Sequence, residues 1–568
     1  MSLRSRFADK AWYRLTAHFF AGLFDFGVLS EAGSDAFQRV LIGIIATMLT
    51  FGLLFARILM AAASGRQAAS LPPAPYRAAL EALVIAVPML VVALTTLLVS
   101  HSLFPDETDF RVLLALPVSR RLVFLSKLAA LALFAGIFIT AAHVAMLPVF
   151  MVISGGRNVQ ENFLVRFTAH MLASLGGSTM VVLAVTAING ALLLTVPRAS
   201  LQAASTAVRS AMFCTLVLCL PLAARLPAIA PRLAAGSTAL YLVPPIWFLG
   251  VEELLLGHVS PYFSRLAGIA AVAFVASLVV AVSSYSYLYR RFDRVMMRPA
   301  DASAGSHRRA GIVIGRRRGA PFSAISAFTR LTLARSALHQ GVFVAIAACG
   351  AGLVMNSFIG AMNMGRVRSP ENEIVNTVVA APFTLVFVTV IAVRAALVLP
   401  IEPRANWVFR MTENPGARAE QLGAVVHTVA RFGVLWPVVV LLPVQWALLG
   451  WRALICASIT FLAGLLLVEL HMGEWLRIPF TCSYMPGKRF VGNTMLIGFA
   501  AFVAFTFFGW AFALYGLRRP IGGLVVMAIL GAVAMQRRRH RLWLWRGTAL
   551  VFEDVLPTEV EPLKLSAY

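Results

Sequence analysis

The chain has 568 residues, of which 60% are hydrophobic and 13% charged, and its formal net charge is +25. A soluble domain of this size would carry about a quarter charged residues, so composition excludes an ordinary soluble enzyme. In a soluble protein the basic excess would suggest nucleic acid. Here apolar runs of about 20 residues recur along the chain and the basic residues gather between them, which is the pattern of cytoplasmic membrane loops and points away from nucleic acid.

In chain order, residues 1–39 form an N-terminal segment in which Ala8–Phe26 reads as an amphipathic helix. Trp12, Tyr13, Phe19, Phe20 and Phe24 make one side, and Arg4, Arg6, Lys10 and Arg14 flank it. Such a helix lies on the bilayer surface or packs on the bundle. The first apolar run starts near Val40, too late for a cleavable signal peptide, so it is expected to act as an uncleaved insertion signal. A first half, 40–290, carries expected spans at 40–63, 80–100, 128–154, 169–196, 207–226 and 264–288. A basic linker, 291–338, follows, with a small polar stretch at Pro299–Ser306 that reads as flexible. A second half, 339–536, carries spans at 341–362, 375–399, 425–449, 452–471, 493–515 and 520–535, and a tail, 537–568, opens on Arg537-Arg-Arg-His-Arg541. The expected fold is therefore an all-α polytopic membrane protein of twelve spans in two six-helix halves. An even count puts both termini and the linker on one side, which their Arg content makes the cytoplasm. The loops at 103–127, 197–206, 400–424 and 472–492 share that side, and the nearly neutral 227–263 segment faces the other.

The two halves share a detail. Pro105 and Pro117 lie twelve residues apart between spans two and three, and Pro403 and Pro415 lie twelve apart in the equivalent loop, which aligns Arg120 with Arg418. Both loops carry mixed charge: Asp106, Glu107, Asp109 and Arg111 in one, Glu402, Arg404, Arg410 and Glu413 in the other. A duplicated unit follows, and six spans per unit make it a parallel repeat. Between the prolines, Leu113, Leu114 and Leu116, or Trp407, Val408 and Met411, suit a short helix along the membrane face. Ser119 is placed to cap a helix that begins at Arg120-Arg121. An ordinary positive-inside connector would explain Arg120, Arg121 and Lys127 as headgroup anchors, but not the acidic set.

The stretch Leu113-Leu-Ala-Leu-Pro-Val-Ser-Arg-Arg-Leu-Val-Phe-Leu-Ser-Lys-Leu128 resembles the cytoplasmic loop of permease subunits of ABC-2-type exporters. The resemblance implies six spans per half, an amphipathic N-terminal helix, and a coupling element that meets a separate, dimeric ATP-binding subunit. Asp106, Glu107, Asp109, Arg111, Pro117, Arg120, Arg121 and Lys127 would form it. Glu402, Arg404, Trp407, Arg410, Glu413 and Arg418 would form a second, although Asn414-Pro-Gly-Ala-Arg418 departs from the Pro-Val-Ser-Arg-Arg pattern. Residues 404–413 also resemble the second half of large bacterial permeases of this group. The resemblance further implies a bacterial cytoplasmic membrane, an amphipathic or lipid-like substrate, and ATP with Mg on the partner subunit.

Chemistry of the chain's own is not visible in the sequence. Gly487-Lys488 lacks the rest of a Walker A motif, and no HExxH, GxSxG or paired CxxC occurs. No metal site or cofactor is expected. Cys214, Cys219, Cys349 and Cys456 fall in apolar runs and read as small core residues, whereas Cys482 lies in the distinctive 478–488 loop. Span residues His143, His170, Asn189, Asn356, Asn376, Arg394 and Glu469 suit interhelical hydrogen bonds or snorkelling as well as a pathway. The Tyr241–Glu253 segment, with Pro244, Pro245, Trp247 and Phe248, reads as an interfacial or re-entrant helix with its aromatics at the headgroups, comparable to an element of ABC-2-type permeases. Two rivals stay open. A secondary carrier needs no ATPase, but the absence of a mid-span carboxylate counts against ion coupling. A scaffold, or a lipid-modifying enzyme, is the other; an enzyme would need a convergent polar cluster that the sequence does not reveal.

Overall fold

A computed structural model of the chain describes residues 3–23, 74–100, 103, 118–154, 162–223, 225–296, 319–364, 370–401, 406–411, 413–481 and 491–552. Every regular element among them is helical. Ten helical runs among the described residues are long and apolar enough to cross a membrane. The chain is thus an all-α, multi-pass membrane protein. It divides into two compact units, residues 1–307 and 308–568.

Unit 1 contains α1 (Leu3–Gly22), α2 (Ala74–Leu98), α3 (Arg120–Ser154), α4 (Phe163–Thr195), α5 (Arg198–Ala223), the short α6 (Ala230–Ala234), α7 (Pro244–Leu255) and α8 (Pro261–Met296). The expected span at 40–63 lies outside the described residues. At the centre stands α2, packed against α3, α4, α5 and α7. Its far end meets the start of α3 through Leu97, Leu103, Phe124 and Leu131, and its beginning meets the end of α3 through Leu80, Val84, Val149 and Phe150. The two are therefore antiparallel, and unit 1 has a loop end, where α3 begins, and an α7 end, where it stops.

Local chemistry explains the boundaries. The Ser119 hydroxyl accepts from Leu122 N at 3.3 Å and caps α3, as its place in the sequence predicts. Asn162 caps α4, its Oδ1 accepting from Leu164 N at 3.0 Å. Pro244 and Pro245 open α7, where a missing N–H costs nothing. With 35 residues, α3 is about 52 Å long at 1.5 Å per residue, far more than a bilayer core of about 30 Å. A helix of that length extends past the slab or tilts within it, and α1 packs on its loop end.

Unit 2 contains α9 (Ala320–Arg335), α10 (Ala337–Met364), α11 (Pro370–Val398), α12 (Asn406–Met411), α13 (Arg418–Val429), α14 (Trp436–Leu449), α15 (Ala453–Met472), α16 (Val491–Arg518) and α17 (Pro520–Gly547). Here α11 is central, against α10, α14, α15 and α16. A wide π-turn, Ala430–Leu435, joins α13 to α14. Such turns leave a carbonyl without its helical partner. Thr389 of α11 supplies one, donating through Oγ1 to Gly433 O at 2.6 Å.

The apolar run Arg418–Met472 spans 55 residues, about 82 Å if straight, too long for one crossing. It turns back at Gly450, whose φ of 60° and ψ of −143° lie where residues with a Cβ rarely go. The segments on either side, α14 and α15, pack against each other.

Three expectations shift. The N-terminal helix runs Leu3–Gly22 instead of Ala8–Phe26. The expected linker 291–338 contains α9, packed on α13, because Ile325, Phe322 and Phe328 join the core of unit 2. Pro299–Ser306 lies outside the described residues. Finally, α17 runs on to Gly547 through the basic cluster expected to open the tail. Arg541 holds it there, donating to Glu469 of α15 at 2.5 and 2.8 Å, with the Trp545 ring 4.2 Å away.

Gly450→Ala should destabilise unit 2 by about 1–3 kcal/mol, the usual cost of forcing a side chain into such a backbone region. Detergent-titration unfolding of the full chain checks this; Gly268→Ala, mid-helix in α8 with open space at its Cβ, serves as the unaffected control.

Candidate functional site

Of the first predicted coupling loop, Asp106, Glu107, Asp109, Arg111 and Pro117 lie outside the described residues. The structure places Arg121 exposed and Arg120 half-buried on the first turn of α3. Lys127 lies one turn further along the same helix. It is only 6% exposed, and its Nζ sits 4.7 Å from the centre of the Phe19 ring. Leu15 and Phe19 of α1 pack with Val123 and Ala130 of α3, so α1 covers this lysine, while Trp12 and Tyr13 stay exposed. Lys127 therefore helps fasten α1 through the face of the Phe19 ring.

Of the second loop, Glu402 and Arg404 lie outside the described residues. The short α12 exposes Trp407, Val408 and Met411, as expected for a helix along an apolar surface, and turns Phe409 onto Phe328. Glu413 and Arg418 form a half-buried ion pair at 2.7 Å. Arg418 also donates to Thr548 O at 2.5 Å, and Leu550 N lies 3.5 Å from the Glu413 carboxylate. Val551 N donates to Leu476 O at 2.8 Å, and the Arg410 guanidinium lies 5.7 Å from the Phe552 ring. Residues 548–552 thus form a strap across the second loop, with Leu550 sunk into the core of unit 2. Beneath it, Phe480, with a φ of 66°, donates its N–H to Leu397 O and accepts from Ile401 N. This backbone pairing fixes the entry to the 478–488 stretch; Cys482 itself lies outside the described residues.

A second cluster sits at the α7 end of unit 1, and sequence reasoning missed it. Arg166, His170 and Ser174 recur every fourth residue on α4 and form one stripe. Arg166 pairs with Glu81 of α2, both about 1% exposed. His170 Nδ1 lies 3.0 and 3.2 Å from the two carboxylate oxygens of Glu252 on α7, and Glu252 is fully buried. Next to it, Glu253 meets His258 Nδ1 at 2.7 Å. Burial pushes the Glu253 carboxyl up, and the His258 hydrogen bond opposes this. His143 of α3 donates through Nδ1 to Ile139 O at 2.7 Å, while its Nε2 meets Ser174 Oγ at 2.8 Å. The signals were the polar stripe on an apolar helix and the paired Glu252-Glu253. The partners are about eighty residues apart in sequence, and spacing alone could not join them.

The α7 helix opens at Pro244 and runs to Leu255. It packs against α2, α4 and α8. Phe248 is buried over Gly177 of α4, a place that the small residue leaves open. Trp247 is half-buried and donates through Nε1 to Tyr241 O at 2.8 Å. Pro244 is exposed and Pro245 half-buried at the entry. Gly250 makes the closest approach: a Cβ there would meet Leu266 Cβ of α8 at 2.5 Å. On the same helix, the buried Glu252 faces His170.

Among the described residues no group of three or more potential ligands could hold a metal ion. Compared with known proteins, the chain matches no family model, no curated protein and no solved structure.

Two outcomes check these sites. Arg418→Ala should free the strap and speed tryptic cleavage at the exposed Arg546 by roughly tenfold, as expected from losing hydrogen bonds to a charged group of about 1.5–3 kcal/mol each; unchanged cleavage would mean the strap is held elsewhere. Glu81→Gln should destabilise unit 1 by about 3–5 kcal/mol, the cost of leaving a buried guanidinium without its carboxylate, read by detergent-titration unfolding.

Proposed function

We propose that the chain is the membrane-spanning subunit of an ATP-driven exporter resembling the ABC-2 type, built of two fused six-span halves. Counting 40–63 as a span and 418–472 as two gives twelve. One observation carries the reading. In each unit a helix that precedes the first span docks on the helix that follows the proline-bounded loop: α1 on α3, and α9 on α13. The pairs repeat beyond it. The central α2 and α11 each touch the third, fourth and fifth spans of their own unit, and the fourth packs on the sixth in both, as α4 on α8 and α15 on α17. A parallel duplication accounts for this arrangement.

In this reading the loop end of unit 1 and the strap end of unit 2 face the cytoplasm, with both termini, and the α7 end faces outward. The 104–121 loop receives the stroke of a separate ATP-binding subunit, which carries ATP and Mg, and this chain performs no catalysis. Lys127 lies beneath α1, so α1 and α3 would move as one lever. The second loop, strapped by 548–552, suits a structural role better than a docking role. The substrate is amphipathic or lipid-like.

The buried Glu81, Glu252 and His170 favour a second reading, an ion-coupled carrier, because ionisable groups inside a bundle are its usual machinery. Transport in ATP-free vesicles under a proton gradient would identify it.

For the exporter, purification from the native host should recover an ATP-binding subunit. Asp106→Lys with Asp109→Lys should uncouple transport from ATP hydrolysis without changing stability, whereas Glu413→Lys should lower stability through the strap. Recovery of no such subunit, or equal uncoupling by both loops, would overturn the proposal.

A further inference from the structure

The apolar run of α17 ends before the helix does. Pro520–Met535 carries no charge and is about 24 Å long at 1.5 Å per residue, shorter than a bilayer core of about 30 Å. The helix runs on to Gly547, so a core that begins at Pro520 closes at about His540. Arg537, Arg538 and Arg539 therefore stand where hydrocarbon gives way to headgroups. Arg518 and Arg519 sit just before Pro520, so the apolar run is bracketed by arginines at both ends.

The two faces of α17 differ. One turns inward: Gly523, Arg541 and Trp545 are buried, and Arg541 donates to Glu469. The other carries Ile521, Leu524, Val525 and Ile529, all exposed, which is the bilayer-facing stripe of a span. Helical spacing continues that stripe onto Arg539 and Trp543. Arg537 and Arg538 flank it, and the three arginines and His540 are exposed. Trp543, 70% exposed, stacks on the His540 ring at 6.0 Å and 24°.

Among the described residues the three arginines have no carboxylate partner. Arg539 touches the Met535 sulfur, at 4.0 Å. Glu469, the carboxylate that α17 does reach, is taken by Arg541. At the edge of a low-dielectric slab, adjacent positive charges repel one another unless anions come between them. Phosphodiesters are the anions at that depth, and a guanidinium takes phosphate oxygens through two parallel N–H donors. A tryptophan on the same face is the usual anchor at headgroup level.

We propose that this face of α17 is a docking site for acidic phospholipid. Arg537, Arg538 and Arg539 hold the headgroup phosphates, Trp543 lies among the headgroups, and the acyl chains run along the Ile521–Ile529 stripe. A zwitterionic lipid also carries a phosphate, but its own ammonium offsets it, so three arginines select lipids of net negative charge. The chain's own tail is the rival occupant, since Glu553, Asp554, Glu559 and Glu561 follow the strap. The place of the arginines, at the hydrocarbon edge and around the lipid-facing stripe, favours lipid. Bound lipid sets the depth of α17 and, through Arg541, that of α15. The site needs α17 to cross a bilayer and does not depend on whether an ATPase drives the chain.

The test uses the full chain in vesicles of phosphatidylglycerol and phosphatidylcholine in equal parts. Bromine, which quenches tryptophan fluorescence, is placed on the acyl chains of one lipid or the other. Subtracting the signal of Trp543→Phe isolates Trp543. Phosphatidylglycerol should quench it more strongly, with a preference of roughly fivefold per engaged arginine that weakens as salt rises. The preference should vanish in R537Q/R538Q/R539Q and persist in R518Q/R519Q. Equal quenching by both lipids in the wild type, or an unchanged preference in the triple variant, would overturn the proposal. So would a preference that emerges only when residues 553–568 are deleted, since the tail would then be the occupant. Should the triple variant fail to fold, Arg539→Gln decides, with a reduced preference expected and an unchanged one against the site. ATPase-subunit recovery is unaffected by any of these outcomes, so this site and the exporter reading fail separately.

Discussion

A charge that enters a bilayer must find its counter-charge there, since lipid offers none. That constraint organises both units. In unit 1, Arg166 takes Glu81 and thereby fixes α4 against α2. In unit 2, Arg541 takes Glu469 and fixes α17 against α15. Apolar packing alone would leave such helices free to slide, because a leucine surface fits another leucine surface in many registers. A buried ion pair adds little net stability, but it penalises every register that separates its partners.

The polar stripe of α4 extends this logic to α7. Ten of the twelve residues of α7 are apolar, so burial of the helix is expected. Its orientation is not. Glu252 can be buried only facing His170, and that turns Phe248 onto Gly177 and Gly250 onto α8. One hydrogen-bonded pair therefore decides which face of α7 meets which helix. The half-exposed Glu253–His258 pair closes the same element at its rim.

Much of this was legible in the sequence. Hydrophobic run length located the helices, and Ser119 marked a cap that the structure contains. The limits were physical. The break expected between the spans 425–449 and 452–471 is present, but the positive φ of Gly450 that makes it is a conformation and not a sequence pattern. Lys127 reads as a loop-end anchor until α1, about a hundred residues earlier, is seen to cover it. The buried ion cluster was invisible because each member has an ordinary explanation alone, and only the fold brings them within hydrogen-bonding range. That Phe248 packs over Gly177 was out of reach for the same reason, since the sequence does not show which helix receives the ring.

The strap has a consequence for synthesis. Arg418 is made 130 residues before Thr548, which satisfies it. At about 5–20 residues per second, roughly 7 to 26 seconds pass before that carbonyl exists. Over that interval the arginine at the head of α13 has only Glu413 for company. Glu81 precedes Arg166 in unit 1 and Glu469 precedes Arg541 in unit 2, so each of these arginines is born to a waiting carboxylate. The strap is thus the part of the second unit that waits longest for its partner, and slowing of translation between residues 418 and 548 would lengthen that wait.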